Sequence, residues 1–120
     1  MEKFKRNGGD YNMIALGQIL AEGREKAKMS ALDVEAELKR RGITASDSTL
    51  GRIEKGTTIS VDPELIGALI EIYKLKEPKV YGSLRETAGI GGALKFIQKA
   101  VQLGKYRQAI LLLETMEQAA

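Results

Sequence analysis

Residues 42–60 read GITASDSTLGRIEKGTTIS. On a helix, Asp47, Ser48, Gly51, Arg52 and Lys55 fall on one side, and Leu50 and Ile53 on the other. A carboxylate, a hydroxyl, a forked guanidinium and an ammonium on one face suit the reading of base edges. Arg52 can make two hydrogen bonds to guanine O6 and N7, Asp47 can accept from cytosine N4, and Ser48 tolerates either. Gly51 leaves room for close backbone approach. Lys55 and the amides around Gly56, Thr57 and Thr58 are placed for phosphate, which adds affinity without sequence information. Just upstream, Lys39, Arg40 and Arg41 concentrate positive charge, although the net charge of the whole chain is only +3.

Other chemistries lack their residues. The sequence has no cysteine and no histidine, which removes thiolate metal sites, cysteine nucleophiles and the commonest general base and zinc ligand. GIGGA at residues 89–93 has no strand before it and no lysine-serine or lysine-threonine after it, so it is not a phosphate loop. The carboxylates lack the spacing of a calcium loop and form no acid–base pair. We therefore expect no catalytic residue, no bound metal, no cofactor and no enzymatic activity. No apolar run approaches the ~18 residues of a membrane span, and the N-terminus lacks the apolar core of a signal peptide. The expected location is cytoplasmic.

The elements that must hold the basic face are helical. With 43% hydrophobic and 29% charged residues, two prolines and no strand signal, the expected class is all-α. Residues 1–12, carrying Lys3, Lys5 and Arg6 with a glycine pair, read as a flexible basic arm. A first helix runs from Met13 through Leu16, Ile19, Leu20 and Ala27. Ser30 with Asp33 makes a capping box for a second helix through Val34 and Leu38, stopped by Gly42. Ser46 caps a short third helix from Asp47 to Lys55, ended by Gly56. Asp62-Pro63 starts a fourth, with Leu65, Ile66, Leu69, Ile70 and Tyr73 on its apolar face. A fifth is expected from Pro78 to Thr87, then a hinge at 88–92, and then two helices over 93–103 and 106–118. The domain limits are 13–88 and 89–120.

LGQILAEGREKAKMS, MSALDVEAEL, SDSTLGRIEKG and VDPELIGALIEIYKL occur in that order. They resemble the first four helices of the phage-repressor-like helix-turn-helix family of bacterial regulators, the XRE family, over about residues 14–76. The resemblance implies a five-helix repressor-like domain followed by a C-terminal helical hairpin, with the third helix in the major groove of double-stranded DNA. It implies DNA contacts at Asp47, Ser48, Arg52 and Lys55, and a largely buried structural salt bridge between Arg24 and Glu54. The implied activity is that of a sequence-specific transcriptional regulator, a repressor, of bacterial or phage origin. Two positions depart from the pattern. Ala31 stands where the family places a phosphate-binding glutamine, and Glu35 where a small alanine packs. These departures shift the expected phosphate anchoring to Lys39, Arg40 and Arg41.

A recognition helix reads few base pairs, so the family commonly binds as a dimer. Leu94, Ile97 and Val101 form one apolar stripe in the tail, and Ile110, Leu113 and Met116 another. A 28-residue hairpin cannot bury both alone, so these residues are expected to dimerise or to pack on the N-terminal helices. LGKYRQAILLLETMEQA also resembles the second half of one tetratricopeptide unit, which keeps open a protein partner at the hairpin. The alternative function is accordingly a protein-interaction module on the same fold, of antitoxin or anti-repressor type.

Overall fold

The computed structural model describes residues 8–57 and 62–119, and among these it is all-α, with no strand. The helices are α1 (Gly8–Lys26), α2 (Ala31–Arg40), α3 (Asp47–Lys55), α4 (Pro63–Tyr73), α5 (Glu77–Gln102) and α6 (Tyr106–Ala119). None is long and apolar enough to cross a membrane. The first helix begins at Gly8 instead of Met13, and the rest of the expected basic arm, residues 1–7, lies outside the described residues.

Local chemistry sets most boundaries. Ser30 accepts from the Asp33 amide while the Asp33 carboxylate accepts from the Ser30 amide, so two orphan donors of α2 are satisfied reciprocally. Ser46 accepts from the Thr49 amide and Asp62 from the Glu64 amide, which starts α3 and α4. Gly56 ends α3 in the left-handed region at φ 79°. Lys28 and Lys74 take left-handed angles without being glycine, at φ 58° and 56°.

α1 packs on α3, α4 and α5, and at Gly17 it lies directly against the backbone of α3. A methyl group at Gly17 would run into the Glu54 carbonyl oxygen and lie 2.8 Å from that of Ile53. Leu16 and Leu20 of α1, Val34 and Leu38 of α2, and Leu50 and Ile53 of α3 are buried together with the apolar face of α4.

The expected hinge at 88–92 narrows to Gly89, whose φ of 72° and ψ of −178° interrupt α5 in a region open essentially only to glycine. Tyr81 and Phe96 lie on opposite sides of that break, yet their rings meet edge to face with centroids 6.0 Å apart. In an unbroken helix, residues 15 apart would be separated by about 22 Å. The second arm of α5 therefore doubles back on the first. α6 follows, and Gln108 Nε2 donates to Pro63 O and to Tyr81 Oη, each at 2.9 Å. Arg107 meets Glu77 at 2.7 Å. Ala93, Phe96, Ala100, Ala109 and Leu112 are buried in the same core as the N-terminal helices.

Two outcomes follow. Gly17→Ala should lower stability by about 3 kcal/mol, because its methyl meets backbone that cannot rotate away; an unchanged denaturant midpoint would contradict that packing. Hydrogen bonds from the Ser30 amide and hydroxyl hold the Asp33 carboxyl below its ordinary value of 3.8. Its capping contribution is thus complete above pH 3.8 and lost as pH falls through the lower folded value. Asp33→Ala should flatten that part of the acid stability profile, measured by thermal melts between pH 2 and 6.

Candidate nucleic-acid interface

α3 is held from three directions. Leu50 and Ile53 bury its inner side, at 2% and 4% exposure. Arg24, from the end of α1, makes a two-pronged pair with Glu54: Nε to Oε2 at 2.8 Å and Nη2 to Oε1 at 3.0 Å. The third arm of the guanidinium, Nη1, donates to Met29 O at 3.0 Å, so one side chain fastens α1, the α1–α2 turn and α3. The bond to Glu54 raises the Arg24 pKa, against the opposing effect of burial. Burial pushes the neighbouring Tyr73 phenol up, and the Glu54 charge adds to that, so the ring beside the pair stays neutral.

The third direction comes from Glu35. Its Oε1 accepts from the Asp47 amide at 2.7 Å, which places a half-buried carboxylate on the first free N–H of α3. The helix dipole favours negative charge there. In the sequence, Glu35 was visible only as a departure from the family pattern. Its role depends on a contact across 12 positions that no local spacing encodes.

The outer face of α3 carries Ser48, Arg52 and Lys55, all exposed, and Asp47 and Gly51, both half-buried. Positions 48, 52 and 55 follow the i, i+4, i+7 spacing of a single stripe. Arg52 Nη2 donates to Thr49 Oγ1 at 3.2 Å, which leans the guanidinium toward the start of the helix. A Cβ added at Gly51 would meet nothing within 4 Å, so the backbone there is open to an approaching surface. From Asp47 to Lys55 the helix rises about 12 Å, so the stripe spans a little over two turns.

The other expected contacts divide. Lys39 is exposed and makes no carboxylate pair among the described residues. Arg40 pairs with Glu37. Arg41 bonds Glu37 at 3.1 Å and Glu71 at 2.8 Å, and so ties α2 to α4. These are exposed surface pairs, so the guanidinium shares its charge with two carboxylates. The donors around Gly56 and Thr57 are also spent. Gly56 N–H bonds Ile53 O and Arg52 O, and both the amide and the hydroxyl of Thr57 donate to Arg52 O. They close the end of α3, where carbonyls lack helical partners. Lys55 is exposed and makes no carboxylate pair among the described residues, and Thr58, also expected to offer its amide to phosphate, lies outside them.

Of the tail residues, Leu94, Val101, Ile110 and Leu113 are exposed, while Ile97 and Met116 are half-buried against the core. The structure therefore divides the two expected stripes between an inner and an outer side. Among the described residues, no group of three or more carboxylates is placed to hold a metal ion.

Compared with protein-family models, curated proteins and solved structures, the chain matches none.

Glu54→Ala should lower stability by roughly 2–4 kcal/mol, because it leaves the Arg24 guanidinium desolvated without its partner. A melting midpoint equal to that of the parent would show that Arg24 finds water or another acceptor. Glu35→Ala should cost less, about 1–2 kcal/mol, as the loss of one charged helix cap.

Proposed function

We propose that this chain is a sequence-specific DNA-binding transcriptional regulator of the XRE, phage-repressor-like kind, a repressor of bacterial or phage origin that acts as a homodimer. The observation that carries this reading is the exposed stripe of Ser48, Arg52 and Lys55 on a short helix fixed at both ends. α3 enters the major groove of double-stranded DNA. Arg52 reads guanine, Asp47 and Ser48 read donor and mixed edges, and Lys55 and Lys39 hold phosphate. α2 and α3 act as the two helices of a helix-turn-helix, with the segment 41–46 as a turn longer than the usual one. Regulation is by occupancy: a bound dimer covers a promoter.

The second reading, a protein-interaction module, draws on the exposed apolar residues of α5 and α6. The two readings separate on α3. Neutralising Arg52 and Lys55 abolishes DNA binding under the first and leaves partner binding nearly unchanged under the second.

Fluorescence-anisotropy titration of the chain against its own upstream DNA and a scrambled duplex tests the proposal. A preference of ~10³-fold or more, with log affinity falling steeply in log salt, is the expected result. Arg52→Ala should erase the preference, whereas Arg41→Ala should weaken the fold more than the DNA affinity. Gly51→Ala should raise helix stability by up to about 1 kcal/mol and yet reduce DNA affinity, because the added methyl stands where the groove approaches. Equal, weak binding of the parent to both duplexes would sink the regulator reading.

A further inference from the structure

A cavity of about 390 Å³ lies where the C-terminal part of α1, the α4–α5 turn and the start of α5 come together. Gly23 makes that junction close. A side-chain carbon there would come within 3.0 Å of Leu75 and 3.1 Å of Tyr73, so α1 meets the turn only because position 23 has none. The turn itself is fixed by the left-handed backbone of Lys74, at φ 56°, and by the Leu75 amide, which donates to Ile70 O. Half-buried Ile19 and Leu75 and buried Val80 give the cavity an apolar wall.

The rest of the lining is basic. Lys26, Lys74, Lys76 and Lys79 all contribute to it, all are exposed, and none pairs with a carboxylate among the described residues. Glu22 is the single carboxylate in the lining. Glu77, the acidic residue in the first turn of α5, is turned to Arg107 of α6 instead, with Oε1 accepting at 2.7 Å. Like charges gathered around a concave apolar wall repel one another and raise the local positive potential. The lysine at 74 carries a further cost, since glycine takes its left-handed angle without penalty and a residue with a Cβ does not.

The cavity is separate from the stripe on α3. Gly17 and Arg24 are the α1 residues that meet Glu54 of α3, and Ile19, Glu22 and Lys26 fall nearly opposite them at 100° per residue. The basic wall therefore stands on the side of α1 away from α3.

We propose that this cavity binds a small phosphate monoester with an apolar body, its phosphate among the four ammonium groups and its body against Ile19, Leu75 and Val80. The volume lies in the ~300–1,000 Å³ range of small-ligand pockets, which favours a small molecule over an extended polyanion. Near neutral pH a phosphate monoester carries close to two negative charges, and lysine meets phosphate as a point charge. A single carboxylate would leave more of the repulsion among the four cations in place. The inference does not depend on the DNA contacts proposed for α3.

Titration of the full chain with 1-naphthyl phosphate at pH 7.5, followed by backbone-amide NMR, tests this. Saturable shifts should centre on Gly23, Leu75, Lys76 and Lys79. Inorganic phosphate and 1-naphthol, the head and the body alone, should each bind at least ~10-fold more weakly, and 1-naphthoate several-fold more weakly. Lys76→Gln with Lys79→Gln should keep the helicity seen by circular dichroism and weaken binding about tenfold. Lys74→Gly should raise the melting midpoint and yet weaken binding several-fold, a pair of changes that a lysine with only a structural role would not give. Arg52→Ala should leave binding unchanged. Shifts scattered over the basic surface, or centred on α3 and lost in Arg52→Ala, overturn the site, as does an affinity that the lysine variants leave intact. Inorganic phosphate or a hexaglutamate peptide binding as tightly as 1-naphthyl phosphate overturns the ligand class, and so does equal binding of 1-naphthoate. A chain that ignores DNA but binds 1-naphthyl phosphate here leaves this inference standing and removes the regulator reading; the opposite pair of results does the reverse.

Discussion

Glu54 joins α3 to α1 twice. Its carbonyl lies against Gly17, where no side chain would fit, and its carboxylate is clasped by Arg24. The constraint matters because α3 has only nine residues, too few to be a stable helix by itself in water. Its direction in space is therefore set by its attachments. Buried Leu50 and Ile53 fix which side faces in, Glu54 fixes the C-terminal end, and Glu35 fixes the N-terminal amide. Desolvation consumes most of the attraction in a largely buried pair, so its main contribution is orientation. Arg24 suits the task better than lysine, since its planar fork serves both Glu54 oxygens and still reaches Met29 O.

The distribution of cations follows a division of labour. Arg24, Arg40, Arg41, Arg85 and Arg107 all have carboxylate partners, and several of those pairs join separate helices. Arg52 is different: its guanidinium leans on the Thr49 hydroxyl and is otherwise exposed. A neutral hydroxyl holds it in place without cancelling its charge. The positive surface around α3 is consequently narrower than the basic run at 39–41 suggests. On the proposed reading, a narrow stripe favours base discrimination over general attraction to phosphate, because the paired arginines add little to the field beyond a Debye length.

What the sequence made legible was mostly local. The serine, aspartate and glycine boundaries of α2, α3 and α4 depend on bonds spanning two to five residues, and so does the inner pair Leu50 and Ile53. The Arg24–Glu54 contact spans 30 positions, and only the family resemblance pointed to it. Other features were hidden for physical reasons. Lys74 takes a left-handed angle where glycine would be the usual choice, at the end of a helix whose neighbours already fix the turn. Thr57 offered a hydroxyl and an amide that spacing alone could assign to phosphate. The carbonyls left open at the end of α3 lie nearer and take both. Arg41 looked free because its second partner, Glu71, lies 30 residues away.

The tail shows the same limit and why it matters. Apolar periodicity marked Leu94, Ile97, Val101, Ile110, Leu113 and Met116 but could not divide them, because a hairpin with two apolar sides presents the same pattern whichever side faces the core. The division is made at Gly89. Doubling the chain there brings Phe96 to Tyr81 and lets Gln108 bridge Tyr81 to the start of α4. That uses one side of each helix in cis and leaves the other open. Since Phe96, Ala100 and Leu112 are fully buried without a partner chain, the fold does not need a second copy to close its core. On the proposed reading, each reading head therefore stays intact whether or not a second copy is bound.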